Sequence, residues 1–305
     1  MEVALMIEGQ NGLNWPRWQR IAQAAEDLGF VGLFRSDHFT NAHAPDLDAL
    51  ELWVSLTWLA SHTKRIEFGP LVTPVSFRHP VFTARMAKDV DNLSGGRLVL
   101  GIGAGWQERE HHHYGFDLLS PQSRFDRFEE GVQVITGLLR SDEPVNFSGH
   151  FYQLHEATLL PRPQQSGRPP LLIGGNGSRR TLPLVARYSD EWNALFTTAG
   201  QFAKLNSQLD RLLAENGRKP GEVRRSLMTG VVFGDEDREL QRKIAERGKS
   251  QAELLKDGMI VGTPAAIRDQ LGQLAEAGVQ RVMLQWLELD DLQGLARLAQ
   301  AVRHS

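Results

Sequence analysis

The chain of 305 residues contains no cysteine. That excludes disulfides, thiolate metal sites and cysteine nucleophiles, and it fits a reducing cytosol. Charge of one sign is not in excess either, because the formal net charge is −3. Neither a nucleic-acid footprint nor a polybasic membrane patch is expected. No apolar run approaches membrane-spanning length. The start, MEVALMIEGQNGLNW, lacks a basic segment and reads as a first strand, not as a signal peptide. A G-x-S-x-G nucleophile elbow, a P-loop and an H-E-x-x-H zinc motif are all missing, which leaves the common serine hydrolase, P-loop NTPase and zincin chemistries without a signature. Internal repeats, low-complexity tracts and linkers are absent too, so residues 1–305 are read as one domain.

What is present is alternation. Apolar strand-like runs occur at Val3–Ile7, Val31–Arg35, Ile66–Val72, Arg97–Ile102, Pro170–Ile173, Glu191–Phe196, Ser226–Phe233 and Gln280–Gln285. Between them lie stretches with 3.6-residue periodicity. In Trp15–Leu28 the residues Trp15, Trp18, Ile21, Ala22, Ala25 and Leu28 share a face, and Gly29 supplies the stop. Phe125–Leu139 repeats the pattern, and Gly262-Thr263-Pro264 opens a further helix, Ala265–Ala277. Trp53, Trp58 and Phe82 fall within helical patterns and read as core; the mixed charges of Asp235–Glu246 read as an exposed helix face. Eight strands with interleaved helices predict an α/β fold, a single (β/α)8 TIM barrel. Val145–Pro170 breaks the alternation. It reads as an insertion between the fourth helix and the fifth strand, with a hairpin around Ser148-Gly149, an extended crossover and a wall over the site.

In such a barrel the residues after each strand converge on one mouth. They are Glu8-Gly9, Ser36-Asp37-His38-Phe39, Thr73-Pro74, Gly103-Ala104-Gly105-Trp106, Gly174-Gly175-Asn176-Gly177-Ser178 and Gln285-Trp286. The Gly174–Ser178 turn opens a helix, Arg179–Tyr188, and favours a phosphate, with Arg179 and Arg180 at hand. Gly101-x-Gly103-x-Gly105 is not a dinucleotide fingerprint. Either its backbone packs against a flat ring or its glycines are needed for barrel closure. His38 either serves a reacting group or is a satisfied structural histidine. His111-His112-His113 reads as a solvated helix start and no metal site is expected, since consecutive helical side chains diverge.

Six segments together resemble the bacterial luciferase-like monooxygenase superfamily, most closely its coenzyme F420-dependent oxidoreductase branch. They are Ser36-Asp37-His38-Phe39; Gly69–Pro74 with Arg78-His79-Pro80; Leu93–Arg97; Gly101–Trp106; Ile173–Gly177; and Gly262-Thr263-Pro264. The resemblance spans almost the whole chain. It implies an oxidoreductase that moves a hydride between F420 and a small organic substrate, with FMN-dependent monooxygenation on the same scaffold as the alternative and a non-catalytic flavin-binding barrel as the second. It implies His38 as catalytic residue and a cofactor held by Asp37, Leu71, Val72, Thr73, Gly103, Ala104, Gly105, Trp106, Gly174, Gly175, Asn176, Gly177 and Ser178. It further implies a non-proline cis peptide between Leu71 and Val72. Several deazaflavin relatives place a glutamate just after the glycines of the fourth strand; here Trp106 holds that place and Glu108 follows. Relatives are often dimers, so a homodimer in the cytoplasm is expected.

Overall fold

The computed structural model describes residues 1–163 and 169–303. Its strands are β1 (Glu2–Ile7), β2 (Gly32–Arg35), β3 (Glu67–Pro70), β4 (Thr73–Pro74), β5 (Leu100–Gly103), β6 (Val145–Ser148), β7 (Gln153–Ala157), β8 (Leu171–Gly174), β9 (Glu191–Leu195), β10 (Arg224–Phe233), β11 (Ile260–Gly262) and β12 (Arg281–Gln285). The helices are α1 (Trp15–Asp27), α2 (Leu52–His62), α3 (Pro80–Ser94), α4 (Glu108–Tyr114), α5 (Pro121–Arg140), α6 (Thr181–Tyr188), α7 (Ala199–Glu215), α8 (Asp237–Glu246), α9 (Gln251–Lys256), α10 (Pro264–Glu276) and α11 (Leu292–Val302).

The main sheet runs β3-β2-β1-β12-β10-β9-β8-β5-β4 with every pairing parallel. Its two ends meet. The Phe68 amide donates to the Arg97 carbonyl and the Val99 amide to the Phe68 carbonyl, at 3.1 and 2.8 Å. β3 and β4 are therefore halves of one stave, interrupted where the cis peptide joins Leu71 to Val72. The expected third strand, Ile66–Val72, is split at that point. All eight predicted staves are found, within a few residues of their expected bounds. The sequence did not signal β11, which pairs with β10 beside the barrel.

Alternation along the staves produces two cores. On β1, Ala4 and Met6 point inward and pack with Phe34, Leu71, Val99, Leu172, Met228 and Met283. Val3, Leu5 and Ile7 point outward and meet the helices, including Trp18, Ile21 and Ala25 of α1. Trp53 is buried in that outer core and Trp58 partly so, but Phe82 is 62% exposed, because its position on α3 faces away from the barrel. In α8 most of the charged residues are exposed as expected, but Lys243 is buried with Leu240 and Ile244, because it turns inward to pair with Glu288.

Glycine settles how the barrel closes. A Cβ on Gly101 would stand 2.1 Å from the Pro70 carbonyl oxygen, and one on Gly69 would stand 1.9 Å from that of Val99. Backbone meets backbone there, so closure is the reading that applies to Gly101. Gly101→Ala is expected to cost about 3 kcal/mol or more, since a rigid carbonyl must move. Urea unfolding reads the loss; an unshifted midpoint would contradict it.

The insertion forms an antiparallel hairpin, β6 with β7, turning at Ser148–Gly149 as expected. The carboxylate of Glu130 on α5 accepts the amides of His150, Phe151 and Tyr152 and ties the turn down. The hairpin packs Tyr152 and Leu154 into the outer core. None of the described insertion residues lines the mouth cavity, so the expected wall is corrected to a brace on the outside of the barrel. Part of the expected crossover, residues 164–168, lies outside the described residues.

Candidate active site

The carboxyl ends of the staves enclose a cavity of about 480 Å3. That lies within the roughly 300–1,000 Å3 range of small-molecule sites. Met6, Leu71, Val72 and Met228 give it an apolar floor; Glu8, His38 and Glu110 supply titratable groups; Trp106, Phe125 and Phe196 add aromatic walls. A wider concavity, about 910 Å3, opens at the opposite end, beside Glu2, Glu67, Glu191 and Arg224. The amino ends of barrel strands are the stability face, and this one is ion-paired. Arg281 there is 1% exposed and bonds Glu2, Glu67 and Glu191.

His38 leaves β2 at the rim. Its Nδ1 lies 2.8 Å from Oε1 of Glu110 on α4, and Oε2 of the same carboxylate accepts the Phe39 amide at 3.0 Å. Glu110 is only 1% exposed. An ionised carboxylate can only accept, so Nδ1 carries the proton and Nε2 is the free nitrogen of the ring. Burial by itself would lower the His38 pKa. The bond and charge of Glu110, helped by Glu8 and Asp37, outweigh it and leave the pKa raised above 6.5. Trp106 packs edge-to-face on the imidazole with centroids 5.6 Å apart and is itself 61% exposed at the mouth.

The structure gathers nine of the expected residues around this cavity: His38, Leu71, Val72, Gly103, Ala104, Gly105, Trp106, Gly174 and Gly175. Five others do not line it. Asp37 is buried, with its carboxylate accepting the Thr73 hydroxyl at 2.7 Å and Arg78 Nη1 at 2.5 Å. Asp37 and Thr73 thus tie the β2 end to the broken stave. The Asn176 side chain exchanges hydrogen bonds with the backbone of Leu195, at 2.7 and 2.9 Å, and latches the β8 turn to β9. Gly177 and Ser178 are exposed beyond that latch. The helix expected from Arg179 begins at Thr181, because Ser178–Arg180 form a turn first.

His111 departs from the solvated helix start. Its ring is 2% exposed, with Nδ1 on the Gln107 carbonyl at 2.7 Å and Nε2 on the Ser76 hydroxyl at 2.8 Å. Burial holds its pKa down. His112 and His113 remain exposed, and no group of three or more metal-ligating side chains occurs among the described residues. Glu110, in the charged run EREHHHY, carried no sequence signal as a site residue. Glu8 follows the first strand in sequence and carries no further signal of its own. No described helix is long and apolar enough to cross a membrane.

Residues 1–251 match the family model for luciferase-like monooxygenases. The chain is 31% identical over 223 residues to an F420-dependent glucose-6-phosphate dehydrogenase of Kineococcus radiotolerans, covering 71% of this chain and 63% of that protein. It is 26% identical over 228 residues to an FMNH2-dependent dimethylsulfone monooxygenase of Pseudomonas putida, covering 75% and 61%. The chain thus spans about three-fifths of the length of these relatives. The solved structure of an F420-dependent secondary alcohol dehydrogenase with an F420-acetone adduct superposes with a TM-score of 0.86 at 18% identity, covering 99% of this chain and 98% of that one. At that identity the likeness shows the barrel.

Proposed function

This chain belongs to the luciferase-like monooxygenase family, and from that premise we propose that it is an F420-dependent oxidoreductase acting on a small organic substrate at the barrel mouth. One observation carries the reading: a histidine backed by a buried carboxylate stands at the edge of an otherwise largely apolar cavity. The residues fit a flat ring with an anionic tail. Met6, Leu71, Val72 and Met228 offer an apolar face to the ring, and Gly174 and Gly175 bring bare backbone to its edge. The turn through Asn176, Gly177 and Ser178 would take the phosphate. Arg179 and Arg180, exposed beyond it, supply positive charge for a tail longer than that of FMN. A cavity of about 480 Å3 leaves room for a substrate, which weighs against a non-catalytic barrel.

When bound, the deazaflavin supplies a two-electron hydride carrier. The chain's own part is to orient the substrate and manage a proton. Glu110 fixes the His38 ring and keeps its protonated form populated, and Nε2 then offers a hydrogen bond or proton to the reacting group. Trp106 packs edge-to-face on the imidazole and limits its movement at the rim. FMN remains the rival because a relative named for FMNH2 matches a similar share of the chain. Titration of purified apoprotein with each cofactor decides between them. F420 is expected to bind more tightly; sub-micromolar binding of FMN without binding of F420 would overturn the choice.

A further inference from the structure

Two aromatic side chains at the mouth do little for the fold that presents them. Phe196, just past β9, has a left-handed backbone with φ of 46° and is 39% exposed. A bulky residue in that region is strained, and such strain persists only where the surroundings over-determine it. Here they do. The Phe196 amide donates to the Met228 carbonyl at 3.0 Å, and the Asn176 latch fixes both backbone groups of Leu195. Behind them stands Gly258, where a Cβ would come within 2.6 Å of the Phe196 carbonyl carbon. The Thr229 hydroxyl donates to the Gly258 carbonyl at 2.7 Å and fixes that support in turn. Neither the strain nor the exposed ring stabilises the barrel. Together they hold a phenyl group at the cavity.

Trp106 reaches the same cavity from the end of β5. It packs on the His38 imidazole and is still 61% exposed. Phe125 completes the aromatic rim, but its ring is already flanked, by Phe128 at 6.3 Å and by the Arg180 guanidinium at 5.5 Å. The open ring surface at the mouth therefore belongs to Trp106 and Phe196. They follow β5 and β9, which β8 separates. Strands two apart lie roughly 10 Å from axis to axis, wide enough to admit a flat ring between side chains.

Resting on the oxidoreductase reading above, we propose that Trp106 and Phe196 clamp a flat aromatic ring, so that the substrates of this enzyme carry an aromatic or fused-aromatic ring system beside the group that reacts. Aliphatic walls would bury an alkyl chain as well as these do. Aromatic walls add a preference for flat partners, because offset-stacked and edge-to-face pairs gain beyond the area they bury. The over-determined backbone of Phe196 keeps its wall in place, which lessens the ordering cost of binding. The clamp fixes the plane of the substrate over the apolar floor of Met6, Leu71, Val72 and Met228 and takes no part in proton transfer.

The test compares the binding of 2-naphthamide with that of its decahydro counterpart, two neutral amides of one carbon skeleton. Calorimetric titrations use protein loaded with F420, or with FMN where F420 does not bind. Wild type is expected to bind 2-naphthamide about fivefold or more tightly than the saturated amide. Trp106→Leu and Phe196→Leu should each cut that preference about threefold, with cofactor affinity little changed in Phe196→Leu. Phe196→Tyr should keep the preference. Phe196→Asn, whose side chain tolerates the left-handed backbone, guards against a folding defect and should lose it as Phe196→Leu does. The clamp is overturned by equal affinity of wild type for the two amides, by a preference that survives both leucine variants, or by tighter binding of glucose 6-phosphate than of 2-naphthamide. Binding of FMN alone would sink the F420 reading and leave the clamp tested on the FMN-loaded protein. Binding of neither cofactor would sink the oxidoreductase reading, and the clamp with it.

Discussion

Replacing His38 with alanine is expected to lower turnover by about 10²-fold or more while sparing cofactor affinity. The loss expected for missing general acid–base help is 10²–10⁴-fold. The ring stands at the cavity edge and its Nε2 is the nitrogen left after Glu110 takes Nδ1. Most of the apolar floor is untouched by the change, so binding and chemistry should separate. Single-turnover cofactor absorbance and a parallel titration read the two. Unchanged turnover would remove His38 from the mechanism. The pH profile adds a sign. Because Glu110 helps raise the His38 pKa above 6.5, the protonated ring persists to higher pH, and an activity needing it falls as pH rises through that raised value. Glu110→Gln should move that limb to lower pH. The same pairing stabilises the fold fully below the unfolded pKa of about 6.5 and fades as pH rises through the folded one.

At the other end of the barrel, Arg281→Met is expected to destabilise by about 3–5 kcal/mol, the loss typical when one partner of a buried ion pair is removed. Arg281 joins β12 to Glu2 of β1, Glu67 of β3 and Glu191 of β9. Glu191 is 2% exposed, and its Oε1 finds no hydrogen-bond partner among the described residues. Burial already pushes that carboxyl pKa up against the pull of Arg281. Without the guanidinium, Arg224, between 3.5 and 3.9 Å from the three carboxylates and 38% exposed, is the one cation among the described residues left to offset them. The deficit should narrow as pH falls, because protonated Glu191 carries no charge to strand. Adding Glu191→Leu should recover part of the loss. Urea unfolding at two pH values checks both; a deficit that does not change with pH would point to lost packing against Phe34, which Arg281 also covers.

The barrel was legible because its signals are local. Eight apolar runs, each near a glycine or polar strand end, specify staves whether or not their partners are known. The mouth was legible for the same reason, as every stave delivers its end there. Contacts across elements were not legible. Glu110 lies in a run of charges that reads as solvated, and only the fold of α4 over β2 brings it under His38. Asp37 and Thr73 sit next to mouth residues in sequence, yet their hydrogen bonds to each other and to Arg78 turn them away from the cavity. The insertion has the polar turn of a lid, but Glu130 on α5 holds it to the outside of the barrel. His111 and its neighbours look alike in sequence; helical geometry sends one inward and two outward.

Val72 has a consequence for how this site can change. Its methyl groups stand 3.2 Å from a Cβ placed on Gly101, 2.6 Å from one on Gly103 and 3.2 Å from one on Gly174. One side chain thus constrains three positions on two staves. Gly103 and Gly174 are fixed by occupancy of the cavity wall, whereas Gly101 is also fixed by the Pro70 carbonyl. Drift at Gly103 or Gly174 is therefore contingent on what stands at 72. A smaller residue there would first open alternatives at both, and a lineage that took them could not regain valine without undoing them. Reshaping this wall is a matter of the order in which substitutions arrive.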